Sequence, residues 1–262
     1  MDTVTLVTTQ GVNLFAMLAT VLWHAIRIGA ALQVLPAIGG RGFPMRARLI
    51  LVLALSATLS TVLPAPPPAA VDAATALNVI REFAIGITIG LVLKLAFEAA
   101  TLAGQFVSQG MALSFATMTD PANQTSVPVL SVWFYLVFGL LFFTLDAHLA
   151  LIQLLLDSYR AQPIGTPFAD FSAFLGVVPG FFPTVLRVAV LMSLPVTVAL
   201  LAVNMVVGVL SRAAPQFNPI QIGMPIALLI GLALLTVLAH ELLDPVKALF
   251  GQAFEAARAV TG

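Results

Sequence analysis

The 262-residue chain is 60% hydrophobic and 8% charged, with a formal net charge of zero. Soluble domains carry roughly 25% charged residues, so this composition excludes an ordinary soluble domain and points to an integral membrane protein with membrane lipid around it. The charge balance gives no footing for nucleic acid, and the absence of cysteine excludes disulfides and thiolate metal sites.

The opening Met1-Asp2-Thr3 lacks the positive n-region of a cleaved signal peptide. The first apolar segment, about 12–38 and containing Arg27, is therefore expected to stay in the protein. A second segment covers about 49–63, and a third about 83–106 with Lys94 and Glu98. The fourth, about 129–156, contains Asp146 and His148. The fifth, about 171–210, is too long for one span of about 20 residues, and Pro179, Pro183 and Pro195 are expected to divide or kink it. The sixth covers about 220–243. After Asp244-Pro245, the residues Val246, Leu249, Phe250, Ala253, Phe254 and Ala257 recur at helical spacing, with Lys247, Gln252, Glu255 and Arg258 between them. This predicts an amphipathic helix over about 245–260, capped by Asp244 with Pro245 at its first position, lying on a membrane surface or a partner.

The linker 39–48 holds Arg41, Arg46 and Arg48, whereas the proline-rich loop 64–72 holds no basic residue. The positive-inside rule places the first in the cytoplasm and the second outside. Alternating from there, the C-terminus falls outside despite Lys247 and Arg258.

The stretch from Gln109 to Pro121 is neither a clean membrane helix nor a polar loop. Met111, Leu113, Phe115 and Met118 are large and apolar, and Ser114, Thr117 and Thr119 lie among them. Asp120-Pro121 ends any helix, because proline disfavours the helical region for the residue before it. Such a segment fits where protein surrounds it, or where it lines or blocks a cavity.

Arg27, Lys94, Glu98, Asp146 and Arg187 fall inside apolar segments, where an isolated charge costs about 2.5–3.5 kcal/mol. Lys94 and Glu98, four apart, share a helix face and can pair. One reading is an ion or proton relay. The plainer one is a set of polar contacts between helices or subunits, which also takes in His148 and Arg212. Asp146-Ala147-His148 has the composition of a catalytic dyad, but residues two apart on a helix do not face each other, and no nucleophile motif accompanies them. No metal-ligand spacing, phosphate loop or cofactor motif is present, so no enzyme is expected. Gly86 and Gly90 form a small-xxx-small pair suited to close helix packing.

Three stretches together resemble the FliR family, called SctT in injectisomes, the export-gate subunit of flagellar and type III secretion systems. Gln109-Gly110-Met111-Ala112-Leu113-Ser114-Phe115-Ala116 with Asp120-Pro121 is similar to that family's central loop. Asp146-Ala147-His148 is similar to its Asp/Asn-Gly-His, with Ala147 in place of glycine. Ser211-Arg212-Ala213-Ala214-Pro215-Gln216-Phe217-Asn218 with Ile222-Gly223-Met224-Pro225 is similar to its second hallmark, in a more flagellar than injectisome-like form. The resemblance implies a single export-gate domain over 1–262, in the bacterial inner membrane at the flagellar basal body. It implies FliP-like, FliQ-like and FlhB-like partners in a hetero-oligomer, with unfolded secreted proteins as cargo. It also implies a FliP-like and a FliQ-like part in one chain, and a complex largely above the membrane plane.

The fold so implied is all-α, a polytopic membrane-type protein of long, partly broken helical hairpins with a C-terminal amphipathic helix. Its plug loop, about 110–120, would keep the channel closed through Gly110, Met111, Leu113, Ser114, Phe115, Met118, Asp120 and Pro121. Without the resemblance, the residues leave a small-solute transporter with a re-entrant loop, or a non-conducting scaffold subunit, as the other readings.

Overall fold

A chain this apolar must satisfy its backbone polar groups internally, and helix does so within each segment. The computed structural model describes residues 14–40, 43–64, 66, 72–111, 128–168, 170–213 and 219–261. Their helices are α1 (Leu14–Val34), α2 (Pro36–Gly39), α3 (Met45–Ser60), α4 (Ala73–Gly110), α5 (Val129–Thr144), α6 (Ala147–Ala161), α7 (Phe171–Ala213), α8 (Pro219–Glu241) and α9 (Leu243–Arg258). No strand occurs among the described residues. Four stretches are long and apolar enough to cross a membrane: Phe15–Val34, Ala73–Gly110, Phe171–Ala213 and Gly223–Glu241. The α5–α6 pair makes a fifth if the two count as one broken span. The second apolar segment forms the 16-residue α3, about 24 Å long at 1.5 Å per residue and short of a bilayer core of about 30 Å.

The fifth segment is not divided at its prolines, which corrects that half of the expectation. α7 is one undivided helix of 43 residues. Its buried residues Phe181, Val185, Ala189, Met192, Val196 and Leu200 step by three or four along a single face, whereas Pro179, Pro183 and Pro195 all lie on exposed positions. The packed stripe runs past every proline and keeps the helix together, despite the hydrogen bonds that proline removes. α4, with 38 residues, likewise begins about ten residues before its apolar segment. Its start is set by Asp72, whose Oδ1 accepts the Thr75 N–H at 2.7 Å, an N-cap bond. Asp170 caps α7 in the same way, accepting the Ser172 and Ala173 N–H groups at 2.8 and 3.0 Å.

The fourth segment is two helices, α5 and α6, separated by Leu145 and Asp146. Asp146 takes a φ of 54°, in the left-handed region that Asp tolerates better than most residues. α9 also departs from expectation. It begins at Leu243, so Asp244 lies inside the helix. Val246, Leu249, Phe250, Ala253 and Ala257 are buried within the chain, while Lys247, Gln252, Glu255 and Arg258 are exposed. Most of the apolar face is thus covered by the protein itself, while Phe254 stays half-buried.

The chain forms two compact units, one of residues 1–94, 148–181 and 253–262, the other of 95–147 and 182–252. In the first, α1 packs on α3, and Arg48 closes the corner between α1 and α3. Its guanidinium donates to Gln33 Oε1 at 2.6 Å, Ile38 O at 3.2 Å and Gly40 O at 3.3 Å. Arg48 is therefore a buried structural residue and not a free surface charge. α1 also meets α4, where Gly86 faces the Arg27 carbonyl and Ala30, and Gly90 faces Ala31 and Val34. In the second unit, Phe97, Phe142 and Phe250 form an aromatic cluster with centroids 5.4–5.7 Å apart, in the range of favourable edge and tilted contacts. Gly104 lets α4 approach Leu130 and Ser131 of α5, and Ser131 donates to Thr101 O at 3.0 Å.

Candidate functional site

Two places gather the polar and flexible residues that an apolar chain cannot hold without cause. The first lies in the first unit and centres on Arg27, a fully buried side chain. Arg27 Nε donates to Glu82 Oε2 at 2.8 Å and Nη2 to Oε1 at 3.0 Å. Nη2 also donates to Gln162 O at 2.9 Å, and Nη1 donates to Ser158 Oγ at 3.0 Å. The guanidinium carbon stands 4.1 Å from the Tyr159 ring centroid, a cation–π distance. Tyr159 OH in turn donates to His24 O at 2.7 Å, and its ring meets His24 edge-on at 4.9 Å.

The ion pair itself is satisfied on the carboxylate side, while the buried Gln162 Nε2 has no hydrogen-bond partner among the described residues. Both Glu82 oxygens accept from Arg27, and Ser158 accepts from Arg27 while donating to Leu155 O at 2.7 Å. A fork-on-fork pair of this kind fixes orientation as well as charge. With its carboxylate engaged at both oxygens, the site is a clamp joining α1, α4 and α6. Glu82, Ser158, Tyr159 and Gln162 were not legible as candidates in the sequence. Glu82 precedes the apolar run that starts at Phe83, and only the longer α4 brings it into the helix.

The second place lies in the second unit, at the end of α4. Gly110 is the last residue of α4, and Met111 follows it in a turn and is buried. Gly110 lies against Leu200 of α7, and Met111 lies against Gly231 of α8. Beside them opens a cavity of about 490 Å³, lined by Phe106, Gln109, Leu194, Thr197, Leu201 and Asn204 among others. The hydroxyls of Ser193 and Thr197 on its wall donate to carbonyls of their own helix, so the lining is apolar in effect. Leu113, Ser114, Phe115, Met118, Asp120 and Pro121 lie outside the described residues.

The remaining charged candidates are spread over α4, the α5–α6 turn, α6 and α7. Lys94 is exposed and Glu98 half-buried on α4. Asp146 is exposed in the α5–α6 turn, and His148 is half-buried in the first turn of α6. Arg187 is exposed in the middle of α7, beside the exposed Leu186, Val190 and Leu191, and Arg212 is exposed in its last turn. α7 and α8 are the barest of the long membrane-length helices, whereas most of the apolar stretch of α4 is buried.

The family model for bacterial export proteins, family 1, matches residues 18–253. The flagellar biosynthetic protein FliR of Escherichia coli (strain K12) is 31% identical over 88% of both chains. The protein of that name from Pectobacterium carotovorum subsp. carotovorum is 30% identical over 89% of both. The one from Bacillus subtilis (strain 168) is 25% identical over 89% of this chain and 91% of its own.

Proposed function

The chain belongs to the FliR family of bacterial export proteins, and on that premise we propose that it lines part of the channel through which a flagellar export apparatus passes unfolded proteins, with its central loop as the plug. It is a membrane subunit of the flagellar export apparatus, at the inner membrane and basal body. FliP-like, FliQ-like and FlhB-like subunits are its partners.

The observation that carries the reading is the outer face of α7. A face that met only lipid would be apolar throughout, yet Arg187 is exposed among Leu186, Val190 and Leu191. A charge in hydrocarbon is costly, and such residues face protein or water. A neighbouring subunit supplies both an apolar surface for the leucines and a partner for Arg187. At 43 residues, α7 is about 64 Å long, twice a bilayer core of about 30 Å, so much of this face needs a cover other than lipid. Lys94, Glu98 and Arg212 have the same role in this reading, and so do Asp146 and His148 at the α5–α6 turn. The plug assignment rests on Met111, whose buried side chain fixes where the central loop leaves α4.

Co-expression with FliP-like, FliQ-like and FlhB-like subunits, affinity purification and native mass spectrometry test the assembly. A defined hetero-oligomer is expected, and Arg187→Glu and Glu98→Lys should weaken it. A chain that stays monomeric with all partners present sinks the reading. Replacing Met111–Thr119 by a short Gly/Ser linker should make the assembled complex leak small ions, and leakage at the wild-type level would remove the plug.

A further inference from the structure

The first turns of α4 border a groove that lies wholly within the first unit. It holds about 580 Å³ and is lined by Leu77, Ile80 and Ala84 of α4 and by Phe168, Phe171 and Leu175 around the start of α7. Phe168 packs on the buried Phe174 with ring centroids 4.5 Å apart, which makes one wall aromatic. Leu77, Ile80, Phe171 and Leu175 are exposed. The charge in these walls is Arg81, which is half-buried. Its Nη1 donates to Asn78 Oδ1 at 3.2 Å, and it has no acidic partner among the described residues. The acids closest to it in sequence and at the start of α7 are committed elsewhere. Glu82 gives both oxygens to Arg27, and Asp72 and Asp170 cap α4 and α7.

We infer that this groove binds an anionic phospholipid, with the phosphate on Arg81 and an acyl chain along the apolar walls. The inference stands apart from the plug reading. Charge complementarity carries it. A guanidinium with donors to spare and no carboxylate is matched by a phosphate, on which it can place two parallel hydrogen bonds, and basic pockets between membrane helices bind lipid headgroups. The position agrees. Arg81 comes just before Phe83, where the apolar run of α4 begins, and α7 begins at Phe171. The charge thus lies where polar turns give way to membrane-length helix, the level to which long basic side chains reach for the interface. The shape favours a lipid over a partner helix. A helix with its side chains is about 10–12 Å across, so a groove of about 580 Å³ would take about one turn of it. An acyl chain is thinner and bends to follow the walls, and the volume is that of an ordinary small-molecule pocket.

The full-length chain, purified in detergent, is titrated with dioleoylphosphatidylglycerol or dioleoylphosphatidylethanolamine, and bound lipid is counted by native mass spectrometry. The chains compared are wild type, Arg81→Gln, Leu77→Glu and Arg258→Gln, each checked for folding by its unfolding temperature. Wild type should hold severalfold more phosphatidylglycerol than phosphatidylethanolamine at equal concentration. Arg81→Gln should lose that preference, and Arg258→Gln, on the exposed face of α9, should keep it. Leu77→Glu, at an exposed position, places a carboxylate one turn before Arg81 on the same helix face, where it can pair with the guanidinium. It should cut phosphatidylglycerol binding as severely with the arginine still in place. Equal binding of the two lipids by wild type, or an undiminished preference in Arg81→Gln, overturns the site. Should Arg81→Gln fail to fold, Leu77→Glu decides: a lost preference supports the site, and a wild-type preference overturns it. The same chains are then purified with FliP-like, FliQ-like and FlhB-like subunits. An assembled wild-type complex that retains phosphatidylglycerol, and loses it with Arg81→Gln at unchanged assembly, supports the lipid. A wild-type complex that carries no lipid, and whose assembly falls with Arg81→Gln, puts an acidic segment of a partner subunit in the groove and overturns the inference.

Discussion

Glu82 holds Arg27 by both carboxylate oxygens across 55 residues of sequence, at 2.8 and 3.0 Å, with the two side chains 3% and 0% exposed. A buried pair of this geometry is expensive to break and much less expensive to replace. Glu82→Ala should therefore destabilise the protein by about 3–5 kcal/mol, because it strands a buried guanidinium. The double change Arg27→Met, Glu82→Leu should recover most of that loss. Arg27→Lys should also destabilise, since an ammonium cannot span both Glu82 oxygens, Ser158 and Gln162 at once. Thermal unfolding of the purified protein in detergent compares the four chains.

The contact of α1 with α4 makes its own demand. A Cβ at Gly86 would collide with the Arg27 carbonyl and come within 2.8 Å of Ala30 Cβ. Backbone cannot give way as a flexible side chain does, so Gly86→Val should cost about 1–3 kcal/mol through overpacking. The same change at Gly139, where an added Cβ meets nothing within 4 Å, should leave the unfolding temperature nearly unmoved.

Asp146 sits at φ 54° between α5 and α6. Its backbone is tolerated by Asn and welcomed by Gly, whereas a β-branched residue pays the full left-handed cost of about 1–2 kcal/mol. Asp146→Asn and Asp146→Gly should unfold within a degree or two of wild type, and Asp146→Val clearly lower. Equal temperatures for all three would show that the turn does not depend on this conformation.

The cap of α4 gives a pH dependence with a definite sign. The Thr75 backbone N–H, and after it the Thr75 side chain, hold the exposed Asp72 carboxyl below its ordinary value. The cap contribution is therefore fully present above about pH 3.9 and fades as pH falls through the lowered value. Amide-exchange protection of the first turn of α4 should drop on acidification in wild type. Asp72→Asn keeps an acceptor without a titrating group and should show no such drop.

Local rules read much of this chain, because they depend on neighbours in sequence. Composition gave the membrane class. The 3.6-residue period gave the amphipathic C-terminal helix and its polar face, Lys247, Gln252, Glu255 and Arg258. The Gly86–Gly90 spacing marked a close helix contact. The stretch from Gln109 to Pro121 stood out through its own chemistry, and its match to the FliR pattern pointed to the family before any coordinate did.

What needed the tertiary structure were relations between distant residues. Pro179, Pro183 and Pro195 argue locally for a divided segment, but a buried stripe on the opposite positions of α7 holds the helix in one piece. The apolar face of α9 is a surface by its period alone, and only packing shows that Phe97 and Phe142 cover Phe250. Arg27 is an isolated charge in the sequence and one half of a closed pair in the fold, because its partners lie 55 to 135 residues away. Hydrophobic periodicity says which face of a helix must be buried. It carries no information on which other helix does the burying, and that choice is made by shape and by the pairing of the few charges the core contains.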